Sequence, residues 1–156
     1  MVSPVRVFVD SSVLVEFVKG NSEAGAILKK LKNVDVDTYI NDIVFSEFVF
    51  HYLSLKSGKS PLTMKGKGVI SEYIDEKDPL EFINQFSILQ VDEEVVEKSY
   101  DLMKDYGLLP NDAIILATCI KHGVDALVTL DGDQPPCILL KQFSVVIHIN
   151  ALRISD

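Results

Sequence analysis

Five short apolar runs, separated by segments with helical patterning, constrain the fold of this chain more than any other feature. Val5–Val9, Thr38–Ile40, Ser87–Val91, Ala126–Leu130 and Val145–Ile149 are brief and mostly rich in β-branched residues, as buried strands are. Helix start and stop signals fill the intervals. Ser11 or Ser12 opens a helix that runs through Lys19 and stops at Gly20, and a second runs from Ser22 to about Lys32. Asp92 to Tyr106 carries acids in its first turn and Gly107 after its end. Pro110 to His122 has Pro in its first turn, cationic groups in its last and Gly123 as its stop. Strands that alternate with helices predict an α/β chain with a mainly parallel sheet.

Asp42 to about Leu55 reads as a helix that is apolar nearly all round, from Ile43 through Leu53, which predicts deep burial. The stretch Lys56–Asp78 breaks the tight alternation. It is rich in Lys, Gly and Ser up to Lys67, then helical near Val69–Ile74, with a short helical piece starting at Asp78-Pro79, and it reads as an insertion on the same domain. The 156 residues fit one domain, 1–156, and 47 % apolar residues supply a substantial core. No repeat, linker or low-complexity tract interrupts it.

Several function classes fall away. The N-terminus lacks a basic segment followed by a long apolar run, and no stretch approaches ~18 uninterrupted apolar residues, so a secretory signal and a membrane span are not expected. The cytoplasm is the default address. Cys119 lies in an apolar run and reads as core, and with Cys137 it makes no disulfide framework. Gly58-Lys59-Ser60 mimics the end of a phosphate-binding loop, but no strand precedes it and Pro61 follows. There is no Gly-rich dinucleotide fingerprint and no G-x-S-x-G elbow. His51, His122 and His148 are scattered singly without metal spacing and read as core or surface residues.

Acids carry the remaining chemistry. In parallel α/β sheets ligands bind beyond the carboxyl ends of the strands. Asp10 and Asp131 stand at two such ends, Asp133 follows, and Asp112 opens the Pro110 helix. Each has a plainer reading: Asp10 as a helix cap, Asp112 as a complement to the helix dipole, Asp131-Gly132-Asp133 as a turn. Glu47 sits among Val44, Phe48 and Phe50, where a carboxylate is costly to bury unless it is paired, snorkelled or metal-bound. Converging carboxylates would repel one another, and a divalent cation removes that conflict. Hard oxygen donors select Mg2+ or Mn2+, which activate water and offset charge on a phosphoryl group.

Four segments carry a resemblance: VFVDSSVLVEF at 7–17, VFSEFVF at 44–50, LLPNDAIILATC at 108–119 and ALVTLDGD at 126–133. In this order and spacing the chain resembles the PIN-domain family, and more narrowly its VapC-like toxins, across nearly its whole length. The resemblance implies a three-layer α/β/α sandwich around a mainly parallel sheet and Mg2+- or Mn2+-dependent cleavage of RNA. It implies Asp10, Glu47, Asp112 and Asp131 as catalytic metal ligands, with Asp133 assisting and Ser11, Asn111 and Thr129 as supporting hydrogen-bond donors. It also implies a homodimer and a small antitoxin partner that blocks the groove. Ser12 and Leu130 stand where the family often has Asn, and Gln134-Pro135-Pro136 replaces a frequent aromatic residue.

The net charge of −8 runs against nucleic-acid binding, which favours a basic footprint. Lys56, Lys59, Lys65 and Lys67 are a local exception, either a solvated segment or contacts to RNA phosphates beside the acids. A housekeeping RNA-processing nuclease is the second reading. The third is a non-catalytic scaffold or receiver-like module, though Asp10 is followed by serines and lacks the preceding acid that a receiver wants.

Overall fold

A computed structural model describes residues 3–74 and 77–130 of the chain. The strand β1 (Val5–Val9) lies inside the sheet because Val7, Phe8 and Val9 are all buried. It pairs in parallel with β2 (Val36–Asn41) on one side and β4 (Ala126–Val128) on the other, and β3 (Ser87–Leu89) extends the sheet beyond β2. The order is β3-β2-β1-β4. Val7 stands level with Thr38 and Ala126, and Val9 with Val128. The expected strand Val145–Ile149 lies outside the described residues, as do Asp131, Asp133 and Cys137.

Seven α-helices connect these strands among the described residues: α1 (Ser11–Val18), α2 (Ser22–Asn33), α3 (Asp42–Ser57), α4 (Pro61–Lys67), α5 (Leu80–Ile83), α6 (Glu93–Tyr106) and α7 (Pro110–Lys121). The chain steps outward from β1 to β2 to β3, then returns across the sheet to β4. Right-handed crossovers therefore place α1, α2 and α3 on one face and α6 and α7 on the other. The packing agrees, with α1 against α2 and α3, and α6 against α7. The direction of winding reverses between β1 and β4, which is where open parallel sheets leave a crevice for a ligand.

Phe8, Leu14, Ile40 and Phe48 form the heart of the core and are essentially inaccessible to solvent. Phe82, from α5, packs its ring 5.4 Å from both Phe17 and Phe48 and so closes the core over α1 and α3. On the opposite face Lys121, at the end of α7, pairs with Asp92 and Glu94 at the start of α6. The hydrogen bond from Lys121, ahead of that from the Val95 amide, holds the Asp92 carboxyl below its usual range. The pair is exposed and contributes little to stability. Among the described residues no helix is long and apolar enough to cross a membrane.

Two expectations need correction. The Lys-, Gly- and Ser-rich stretch after Leu55, in which the sequence marks no element, is not irregular throughout. Gly58 ends α3 at φ +67°, a conformation a side chain rarely adopts, and α4 begins three residues later. The Ser60 hydroxyl caps α4 by accepting from the Thr63 amide at 3.2 Å, and Pro61 fills its first turn. Nor is α3 sunk on all sides. Val44, Phe48, Tyr52 and Leu53 are buried, but Phe45 and Phe50 remain 40 % and 47 % exposed. With Leu62 of α4, 74 % exposed, they form an open apolar face.

Candidate active site

Asp10 is the first residue beyond β1. Its amide still bonds the Val128 carbonyl at 2.9 Å, so β1 and β4 stay zipped up to the point where the side chain leaves the sheet. The extended backbone at Asp10 makes it the N-cap of α1, and one carboxylate oxygen collects three donors. Oδ2 accepts from the Ser12 amide at 3.4 Å, the Ser12 hydroxyl at 2.6 Å and the Thr129 hydroxyl at 3.0 Å. The Ser12 oxygen in turn accepts from the Leu130 amide at 3.0 Å. Ser12 therefore ties Asp10 to the backbone one residue ahead of Asp131. The capping and functional readings of Asp10 are compatible, because the residue that caps α1 also lines a cleft.

Glu47 is half-buried on α3 and held at both oxygens. Oε2 accepts from the Ser11 hydroxyl at 2.6 Å and Oε1 from the Asn111 amide nitrogen at 2.7 Å. Charge-assisted bonds of this length are strong. They answer the question of how an apolar helix keeps a carboxylate: neighbours on α1 and α7 reach across to it. A deeper link fixes the same helices. Asn41, fully buried at the end of β2, caps α3 through the Val44 amide at 3.1 Å and donates to the Thr118 hydroxyl of α7 at 3.0 Å. The Thr118 hydroxyl in turn donates a hydrogen bond to the Ile114 carbonyl at 2.7 Å.

Asp10, Glu47 and Asp112 line a single cleft of 430 Å3, together with Ser11 and Ser12. Asp112 stands in the first turn of α7 and Asp10 caps α1, so two helix N-termini offset part of the negative charge gathered there. A larger cavity of 650 Å3 lies between α1, α2 and α5. Its walls are mainly apolar, with Phe17, Leu28, Phe82 and Phe86, and it holds no carboxylate, so size does not mark the reactive place here.

Among the described residues no three His, Cys, Asp or Glu side chains form a ready metal-binding group as they stand. The donor chemistry of the cleft nevertheless fits a hard cation. Its acids present oxygens, and Cys119 supplies no thiolate: burial, and then the negative charge of Asp10, pushes that thiol far above its usual range.

The order of these parts along the chain has a counterpart in known proteins. A family model described as PIN domain matches residues 7–135. The chain belongs to the PIN-domain family. Two relatives from Methanocaldococcus jannaschii bear on it. Ribonuclease VapC2 is 32 % identical over 128 residues, covering 82 % of this chain and 86 % of that one. Ribonuclease VapC6 is 36 % identical over 140 residues, covering 84 % and 92 %. Among solved structures, a toxin–antitoxin complex from Klebsiella pneumoniae aligns with a TM-score of 0.56 at 21 % identity, covering 81 % of this chain and 88 % of that one. The last is a likeness of fold.

In this PIN-domain chain the fold brings together six of the residues singled out in the sequence: Asp10, Ser11, Glu47, Asn111, Asp112 and Thr129. Asp131 and Asp133 lie outside the described residues. Lys56, Lys59, Lys65 and Lys67 are exposed, and none lines the cleft. Lys56 places its Nζ 5.5 Å from the centre of the Tyr52 ring at the far end of α3, and Lys65 borders the apolar face with Phe45 and Leu62. Two contributors were not foreseen. Ser12 was read as a helix start, although a second hydroxyl beside a strand-end acid is a usable signal. His51 was set aside as a lone histidine, yet it lines the cleft, and its spacing of four residues from Glu47 puts both on one helix face.

Proposed function

We propose that this chain is a metal-dependent endoribonuclease and the toxin of a toxin–antitoxin pair. The observation that carries the proposal is the convergence of Asp10, Glu47 and Asp112 on one cleft at the switch point of the sheet. The names of the two relatives and of the Klebsiella complex support it. Asp10, Glu47, Asp112 and Asp131 would hold Mg2+ or Mn2+, with Asp133 assisting. When bound, the cation supplies an acidified water and offsets charge on the phosphoryl group under in-line attack. The chain's own part is orientation. Ser11 and Asn111 fix both oxygens of Glu47, while Ser12 and Thr129 fix one oxygen of Asp10. No nucleophilic side chain is required. The direct assay is a labelled single-stranded RNA incubated with the protein in Mn2+, in Mg2+ and in EDTA. Cutting that needs the cation supports the proposal, and cutting that persists in EDTA overturns it.

The four exposed lysines extend the RNA contact beyond the cleft. Changing Lys56, Lys59, Lys65 and Lys67 to Glu together weakens RNA binding and flattens its salt dependence, read by fluorescence anisotropy from low to moderate salt. Unchanged binding would make them a solvated face. The apolar face of Phe45, Phe50 and Leu62 is assigned to a second copy of the chain, since a single copy leaves it open to water. Sedimentation should show a dimer for the native chain and a monomer for Leu62→Lys, while equal masses would remove this face from the interface. An antitoxin should co-purify as a small chain encoded beside this one.

A further inference from the structure

The cleft is lined by four carboxylates, those of Asp10, Glu16, Glu47 and Asp112. Of the described residues around it, Lys19 and His51 are the two that can carry positive charge. We propose that Lys19 and His51 seat an RNA phosphate adjacent to the one that is cut, giving the acidic cleft its own substrate anchor. The inference rests on the nuclease reading for the identity of the ligand, and it goes beyond that reading in naming the residues that hold it.

Three observations support it. First, the two residues share the cleft with the acids. The helix α1 begins at the Asp10 cap and ends at the Lys19 cap, and α3 carries Glu47 with His51 one turn further along. At 1.5 Å of rise per residue, His51 is about 6 Å and Lys19 about 13 Å along their helices from the acids that precede them. With the scissile phosphate seated at the acids, a neighbouring phosphate of the same strand would pass Lys19 and His51, which line the same cleft.

Second, both side chains are accessible. His51 is exposed, with its ring edge-on to Phe50 at 5.9 Å. Lys19 is 46 % exposed and pairs with Glu16 at 2.8 Å. An exposed pair of this kind is weakly held, so its Nζ is able to exchange Glu16 for a phosphate oxygen.

Third, the charge balance requires such a contact. The chain has a net charge of −8, and its lysine-rich segment does not line the cleft. A polyanion brought against four carboxylates needs local donors beyond any bound cation. Lys and His offer N–H donors of the kind that make charge-assisted bonds to phosphate.

The test uses the full chain in Mn2+ with a short labelled single-stranded RNA, measuring binding by anisotropy and cutting by steady-state kinetics. Lys19→Gln and His51→Gln should each raise Kd and KM about tenfold with kcat within about twofold, as expected for one charge-assisted contact made equally in ground and transition states. His51→Arg should restore most of the loss. Lys19→Gln should also flatten the plot of log Kd against log salt by about 0.7, the increment for one phosphate on a single strand. Wild-type Kd and KM in both Gln variants would overturn the anchor while leaving the nuclease reading intact, as would an Arg variant no better than Gln. RNA that binds, is weakened by the Gln variants, but is never cut would keep the anchor and overturn the nuclease reading. Both residues are exposed, so thermal melting should match the native chain and exclude misfolding as the cause.

Discussion

Asp112→Asn should lower metal-dependent RNA cutting by well over a hundredfold while leaving the fold intact. Loss of a partner that merely orients a metal ligand already costs about 10–100-fold in affinity or activity, and Asp112 is assigned as a ligand itself. Asn keeps the size of the side chain and removes its charge. The neutral Asn gives up the helix-dipole contribution of a partly exposed acid in the first turn of α7, about 0.3–1 kcal/mol. Single-turnover cleavage in Mn2+, with circular dichroism melting alongside, separates the two effects. A variant that melts like the native chain and still cuts at the native rate would remove Asp112 from the site.

Asn41→Ala should be the more damaging change for stability, at about 2–3 kcal/mol. The side chain is fully buried and serves two elements at once. Losing the α3 cap, which leaves the buried Val44 amide without its acceptor, costs about 1–2 kcal/mol, and the lost bond to the buried Thr118 hydroxyl adds about 1 kcal/mol. With that bond goes the tie between the helices that carry Glu47 and Asp112. Urea unfolding should show a lower midpoint with an unchanged slope. Asn41→Ser keeps a capping oxygen and should recover the part of the loss that belongs to α3. Equal stability of Asn41→Ala and the native chain would mean that the cap and strut are replaced by water at no cost.

Much of the site is legible from local signals. Asp10 follows a β-branched run and precedes two serines, and Asp112 follows Pro110 at a helix start, so each could be placed at the carboxyl edge without knowing the fold. Glu47 stood out because an apolar helix gives a carboxylate no local reason to be there. What sequence patterning leaves hidden is pairing across distance. Asn41 and Thr118 are separated by 77 positions, and nothing in either neighbourhood points to the other. Ser12 looks like a helix start, and its bond to the Leu130 amide exists only because β1 and β4 are neighbours. The composition of Lys56–Lys67 masked α4, since Gly58, Gly66 and the lysines outweighed the Ser60-Pro61 start signal. Periodicity likewise ranked Phe45 and Phe50 as core, because hydrophobicity along a helix does not say which of its sides the rest of the chain covers.

In the proposed function Asp10, Glu47 and Asp112 share a divalent cation with Asp131. Crystals soaked in Mn2+ and measured for anomalous scattering test it most directly. A peak is expected in the cleft within coordination distance of the Asp10 and Asp112 carboxylates, absent from crystals of Asp112→Asn. A cleft without a peak at saturating Mn2+, or a peak held elsewhere on the chain, would contradict it.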